Sequence, residues 1–456
     1  MKQSWKVWSC AIVAAIFVCV GAVLPVQAAS FNPGFDPAST AVTLVNLNNG
    51  ESVYQKNADK RLPQASTTKV MTFIIAEEQL KDPANTKVTV TQNALNQIPD
   101  SSFVTVQLRE GEEMSALNLM YCMLVPSGND AANVLADYVS NGNISNFVEQ
   151  MNEKAKELGC TNTHYTNVFG NYDTQHYTSA NDLAKIYQYA LKLPLFKEIT
   201  GKAEYTVPAT NYSAARNLKT SVKLMDKTSN YYFAECTGGK TGTSDQAGYN
   251  LASTAEKDGK NMLCIALGAP SVQSGQAVKT NGAFNDSRKL FDWAFQSLKQ
   301  QEVLPKDKAV SSLPVLKAKD KNQKVSAVPE TAYAALLPAD AANGNIQTNV
   351  SLPQNVTAPI KKGQKLGTAT VSYNGQELAQ VNLVSAADIA QYIPIYQRPW
   401  FRIVVIVAAA VVVVVLIVLL IRFMRRRSRG HFGGRGGRRR RGRYRPSGRH
   451  GYHHYH

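Results

Sequence analysis

Residues Leu62–Leu80 read LPQASTTKVMTFIIAEEQL. From Val70 onward the apolar residues recur at helical spacing, which predicts a buried helix with Ser66 as an acceptable cap. Lys69 is out of place in that helix. It stands where a capping box carries Glu or Gln, and a first-turn cation faces the positive end of the helix dipole, at a cost of about 0.3–1 kcal/mol. The same misplacement is chemically useful. Dipole and partial burial both disfavour an ammonium and lower its pKa, and residues three apart share a helix face. Lys69 is therefore a candidate base for the Ser66 hydroxyl, a poor nucleophile until a neighbour takes its proton. The free N–H groups of a helix start also suit an oxygen that gains charge.

On both sides of this helix the pattern changes to strands. AVTLVNLNNGESVYQ, from Ala41, alternates about Asn49-Gly50 and predicts a hairpin. From about Lys81 to Leu193 the signals are mostly helical with polar loops. GGKTGTSDQAGYNLASTAEKDGKNMLCIALGAP, from Gly238, then reads as strands with a turn at Asp258-Gly259, and SRKLFDWAFQSL follows as an amphipathic helix. Strands at both ends with helices between predict one α+β domain over about 30–300, its antiparallel sheet assembled from distant segments. A Pro/Lys/Ala-rich boundary follows from about Leu304. Beyond it, period-two alternation around Asn374-Gly375 predicts a small all-β domain over about 305–395.

The termini supply topology. Residues 1–28 combine Lys2 and Lys6, an apolar run and the small-residue end Val26-Gln27-Ala28, which reads as a secretory signal peptide. Ile403–Ile421 contains no charge and is long enough for a bilayer core of ~30 Å, predicting a transmembrane helix over 401–422 flanked by Tyr396, Trp400 and Phe401. The Arg/Gly-rich tail that follows, 423–456, has no Asp or Glu. The positive-inside rule leaves it in the cytoplasm and the middle of the chain outside. Thirteen Arg from Arg422 on account for most of the formal +17, so the charge marks topology and contact with anionic lipid head groups. Nucleic acid is not expected as a partner. Cys122, Cys160, Cys236 and Cys264 are irregularly spaced, which argues against a disulfide scaffold. Cys160 and His164, spaced to share a helix face, lack the further ligands a metal site needs.

Two further clusters bear on Ser66 and Lys69. PSGND places Ser127 and Asn129 in a loop after a helix, and GGKTGTSD places Lys240, Thr241, Gly242 and Thr243 at the start of a strand. There a cation and two hydroxyls suit a carboxylate, and Gly242 allows close backbone approach to a ligand. The exported region holds only His164 and His176 and no G-x-S-x-G elbow, so a Ser-His-Asp hydrolase is poorly supported.

STTK, SGN and KTGT, in this order, resemble the penicillin-binding-protein superfamily, and within it the serine-type D-alanyl-D-alanine carboxypeptidases of low molecular mass. HYTSANDLA (His176–Ala184) and APIKKGQKLG in the β region extend the likeness over about 30–395. The resemblance implies a penicillin-binding/β-lactamase-like catalytic domain, an antiparallel sheet with helices on both sides plus a helical subdomain. It also implies roles. Ser66 attacks the carbonyl between the terminal D-alanines of a peptidoglycan stem peptide, Lys69 is the base, and Ser127 relays a proton to the leaving amine. Asn129 binds the substrate amide, and Lys240, Thr241 and Thr243 hold the terminal carboxylate, with Gly242 among them. The oxyanion sits between the N–H groups of Ser66 and Thr243. β-Lactams are implied as covalent inhibitors, and neither cofactor nor metal is required. The family's N-P-H-G-L segment is altered here to NVFGN at Asn167–Asn171. A DD-endopeptidase, a β-lactamase using the same residues, and a catalytically idle wall-binding module are the alternatives. A β-lactamase is disfavoured because no E-x-x-L-N segment follows Ser127.

Overall fold

The computed structural model describes residues 31–270, 272–273, 276–277, 280–339 and 345–428. The expected signal peptide, and the tail beyond Ser428, lie outside the described residues. Five antiparallel strands make the central sheet: β1 (Ala41–Asn46), β2 (Glu51–Lys56), β3 (Cys236–Ser244), β4 (Gly248–Lys257) and β5 (Lys260–Ala269), in the order β2-β1-β5-β4-β3. The N-terminal hairpin thus joins a meander almost two hundred residues later in the chain, Ala41 opposite Leu267 and Asn46 opposite Met262. The Asp258-Gly259 turn has φ of 50° and 76°, the pair of positive values that a two-residue hairpin requires. Asn49-Gly50 differs. Only Gly50 is positive, and the turn is longer, closed by Gly50 N–H on the Asn46 carbonyl at 2.8 Å.

Among the described residues six longer helices accompany this sheet: α1 (Lys69–Gln79), α2 (Ala116–Leu124), α3 (Asn129–Val139), α4 (Ile144–Glu157), α5 (Ala180–Ala190) and α6 (Gly282–Ser297). α6 packs on β4 and β5, while α5 packs on β1 and β5. α1 is buried on every side from Lys69 to Ala76, in contact with α2, α3, α4 and α5, so the apolar run of its sequence is that of a central helix. Side chains cap most of these helices: Ser115, Asn143, Ser179 and Asn281 each accept an N–H from the first turn of α2, α4, α5 and α6. α1 and α3 have no side-chain cap. Ser66 does not cap α1; it lies inside a 3-10 turn, Ala65–Thr68, that runs directly into the helix. Within the mostly helical stretch expected over Lys81–Leu193, a long polar loop runs between Asn96 and Glu112, where Pro99, an Asp-Ser-Ser run and Gly111 leave irregular chain. Cys160 and His164 do not share a helix face, because α4 ends at Glu157.

The described residues divide into two compact units, one running to Leu313 with Val325–Gln354 and Lys362–Ala387, the other comprising Pro314–Lys324, Asn355–Lys361 and the described residues from Asp388. The first unit continues past α6 in strands only. Leu298–Leu304 pairs with Tyr333–Pro338, and Ile346–Ser351, Lys365–Tyr373, Gln376–Ser385 and Lys324–Pro329 form an antiparallel set with a positive-φ turn at Asn374-Gly375. In the second unit Val315-Leu316 pairs in parallel with Val356-Thr357. Its helix α7 (Pro399–Ser428) starts on proline, whose missing N–H costs nothing at that position. Within Pro399–Arg426 an 18-residue stretch reaches a mean hydropathy of 3.8 and is unburied, and this is the one helix among the described residues long and apolar enough to cross a membrane.

Candidate active site

The 3-10 turn before α1 presents Ser66 half-exposed, while Lys69 one turn on is fully buried. The Lys69 Nζ has three neighbours: Ser66 Oγ at 3.0 Å, Asn129 Oδ1 at 2.5 Å and the Phe169 carbonyl at 2.9 Å. Two of these, an amide oxygen and a carbonyl, can only accept. They take two N–H groups and leave the third direction of the nitrogen facing the serine hydroxyl. Burial holds the Lys69 ammonium well below its usual range, the charge of Lys240 adds to this, and Asp130 opposes it. In the neutral amine that third direction is a lone pair aimed at the Ser66 proton. The helix dipole suspected from sequence is thus joined by complete burial and by a second lysine that no local pattern could place there.

Lys240 is also fully buried, and burial alone pushes it down to about 7. It lies mid-strand in β3, not at its start, and donates to Ser127 Oγ at 2.7 Å and to the Thr241 carbonyl at 2.8 Å. Ser127 occupies the loop between α2 and α3 with φ of 73°, a strained value for serine, and Asn129 is the first residue of α3. Asp130 secures that loop by accepting from the N–H groups of Val106 and Leu108. Thr241 donates to Ser221 Oγ at 2.7 Å, and Thr243 is exposed at the strand's outer end. The close approach that Gly242 permits is to the protein's own serine turn: a Cβ there would stand 2.8 Å from the Gln64 carbonyl and 3.1 Å from Ser66 N. Ser66, Lys69 and Asn129 form one hydrogen-bonded group and Ser127 with Lys240 a second, and the charge of Lys240 is felt at Lys69; Thr241, Gly242 and Thr243 continue along β3.

In sequence the loop NVFGN shows only as a departure from a family pattern, yet it packs against α1 beside Lys69. The Asn167 side chain accepts from the N–H groups of Gly170 and Asn171, folding the loop on itself. α1 then grips two successive carbonyls, Val168 through Thr72 and Phe169 through Lys69. Gly170, at φ of 94°, presses so close that a Cβ would come within 1.9 Å of the Ala65 carbonyl oxygen. Ala65, next to the nucleophile, is itself held at φ of 46°.

His176 is buried and pushed down to about 4 by that burial, while His164 lies toward the surface with its Nδ1 on the Gln175 carbonyl. The four described cysteines are free; burial raises the Cys122 thiol to about 12, which makes it inert. Among the described residues no three His, Cys, Asp or Glu side chains gather as for a metal ion.

Residues 27–271 match the family model of D-alanyl-D-alanine carboxypeptidase, Peptidase S11, and residues 298–391 match that of the penicillin-binding protein 5 C-terminal domain. The chain is similar to D-alanyl-D-alanine carboxypeptidase DacF of Bacillus subtilis, 28% identical over 355 residues that cover 77% of this chain and 86% of the relative. DacA of Haemophilus influenzae is 29% identical over 378 residues, 81% of this chain and 90% of the relative. Among solved structures, penicillin binding protein 5 from Haemophilus influenzae aligns with a TM-score of 0.64 at 28% identity, over 78% of this chain and 99% of that one.

Proposed function

The chain belongs to the Peptidase S11 family of D-alanyl-D-alanine carboxypeptidases, serine hydrolases, and on that premise we propose that it removes the terminal D-alanine of peptidoglycan stem pentapeptides through an acyl-enzyme at Ser66. The Ser66 hydroxyl attacks the penultimate D-alanine carbonyl while Lys69 takes its proton. The oxyanion is held by the N–H groups of Ser66 and Thr243, which act where the charge develops. The C–N bond breaks, and Ser127 delivers a proton to the departing amine. Lys240, Thr241 and Thr243 hold the terminal carboxylate, with Gly242 letting the strand lie against the serine turn, and Asn129 meets the substrate amide. Water then attacks the ester, regenerating Ser66 and releasing the shortened peptide. A β-lactam follows the first half of this path and leaves a lasting adduct.

The observation that carries the reading is the setting of Lys69: buried, two N–H groups committed to pure acceptors, and the remaining direction 3.0 Å from Ser66 Oγ. In the cell, the N-terminal signal exports residues 30–300 as the catalytic domain and 305–395 as a β spacer. The helix through Pro399–Arg426 anchors them at the outer face of the membrane, and the Arg/Gly tail stays inside, against anionic lipid. There the enzyme acts in cell-wall maturation.

The test is mass spectrometry of the full-length protein with penicillin, together with release of D-alanine from a pentapeptide. The adduct is expected on the Ser66 peptide, and Ser66→Ala should abolish both signals. Labelling of Ser66→Ala at the wild-type rate refutes the mechanism. Hydrolysis of penicillin within minutes would reassign the protein to the β-lactamases, and cleavage of purified cross-linked muropeptides in preference to pentapeptide to the endopeptidases.

A further inference from the structure

The strained residue before the nucleophile is held by a run of hydrogen bonds that no motif of the sequence announces. Ala65 has φ of 46°, a left-handed value that costs an alanine about 1–2 kcal/mol. Its carbonyl opens the 3-10 turn Ala65–Thr68, and the N–H of Lys69 goes on to Ser66 and Thr67. The Thr68 hydroxyl donates to the Ala65 carbonyl at 2.8 Å. A hydroxyl has one proton, so its other contact must be one in which it accepts. That contact is His176 Nε2, at 2.7 Å.

The imidazole can play this part in one tautomer only. The Thr166 backbone N–H donates to Nδ1 at 3.0 Å, so Nδ1 carries no proton and the proton is on Nε2. The bonds therefore run one way, from Thr166 N–H through His176 to Thr68 and on to the Ala65 carbonyl. The Tyr165 ring stands edge-on to the imidazole at 5.7 Å, and Ala65, Thr68, Tyr165 and His176 are all buried.

We propose that His176 is a positioning residue for the nucleophile, acting through the Thr68 hydroxyl to hold Ala65, and with it the Ser66 N–H and Oγ, in the geometry that acylation needs. His176 touches neither substrate nor Ser66. Its imidazole fixes which way the Thr68 hydroxyl points, and that hydroxyl together with the press of Gly170 keeps Ala65 from relaxing into ordinary helical torsions. The inference deepens the function proposed above and rests on it.

The experiment measures the second-order rate of acylation by a fluorescent penicillin on the detergent-solubilised full chain, alongside the melting temperature. Thr68→Val keeps the shape of Thr68 and deletes the hydroxyl, while Thr68→Ser keeps the hydroxyl. His176→Asn keeps an acceptor near Nδ1 and deletes the donor, while His176→Gln keeps a donor near Nε2. Displacement of a reacting group by a fraction of an ångström is expected to slow Thr68→Val and His176→Asn about tenfold or more. Thr68→Ser should stay within about twofold of wild type, and His176→Gln should recover most of the rate lost in His176→Asn, since each restores the bond. The inference is overturned if folded Thr68→Val and His176→Asn acylate at the wild-type rate. It is overturned equally if Thr68→Ser loses as much as Thr68→Val, because packing and not the bond would then be responsible. Should the histidine variants fail to fold, the threonine pair makes the same decision. A wild-type protein that takes no label at all refutes the function itself, a result distinct from either.

Discussion

Gly170→Ala puts the geometry of the site under direct strain. The residue sits at φ of 94°, so an added Cβ meets a torsional penalty of about 1–2 kcal/mol before any contact is considered. The contact is worse. The Cβ would lie 1.9 Å from the Ala65 oxygen, 2.2 Å from its carbonyl carbon and 2.9 Å from Ser66 N, all backbone atoms that cannot swing aside. Ordinary contact between non-bonded heavy atoms is about 3.5 Å, so loop and turn must part by about 1.5 Å. Such a shift moves the Phe169 carbonyl off Lys69, the Ala65–Ser66 peptide off its present course, or both. Misplacement of a catalytic group by about 1 Å costs on the order of 10²-fold in rate, and that is the loss expected in acylation by fluorescent penicillin. Gly142→Ala is the control. Gly142 has a similar φ of 86° but nothing within 4 Å of the added atom, so it bears the torsional penalty alone and should acylate as wild type. Equal acylation rates in Gly170→Ala and Gly142→Ala would refute the argument that the loop NVFGN holds the serine turn in register.

Lys240 predicts a pH dependence. Burial lowers its ammonium to about 7, so the free enzyme loses that charge as pH rises through 7 and with it the partner for a substrate carboxylate. KM for a pentapeptide should climb between pH 7 and 9, approaching tenfold per unit, while a substrate amidated at its C-terminus shows no such climb; a flat KM for the free carboxylate contradicts the assignment. Arg216 lies 2.7 and 2.9 Å from the two oxygens of Glu112, whose side chain is wholly buried. Arg216→Met should destabilise the fold by about 3–5 kcal/mol in urea unfolding, with the Arg216→Met/Glu112→Gln double variant recovering part of it. Burial raises the Glu112 carboxyl, but bonds from Arg216 and Thr210 outweigh it and hold the folded pKa below the usual value. The pair's stabilisation is therefore present at neutral pH and lost as pH falls through that folded pKa. A wild-type protein whose stability does not decline in acid relative to the double variant would contradict this account.

The features legible in the chain are those written in local torsions or in long apolar runs. Asp258-Gly259 and Asn374-Gly375 could be read as tight turns because positive φ at both residues is a property of those residue types. The spacing of Ser66 and Lys69 on one helical face follows from helix geometry, and the length of the apolar run beyond Pro399 from its composition. Even here local reading faltered where neighbours intervened. Ser66 was expected to cap α1, but the chain tightens into a 3-10 turn under the press of Gly170 and Gly242, from segments about a hundred and nearly two hundred residues away.

From sequence alone came the pairing of a serine with a lysine, two further clusters of the right chemistry, and strands at both ends of a helical region. Only the folded chain decided that Lys69 is enclosed, that Phe169 and Asn129 take its N–H groups, and that His176 stands behind the turn. The reason is physical. Periodicity reports how each residue prefers to turn and which face avoids water, whereas the proton affinity of a lysine depends on what surrounds it on all sides. Those surroundings are brought together by the closing of the sheet and the docking of distant loops, and no segment carries them by itself.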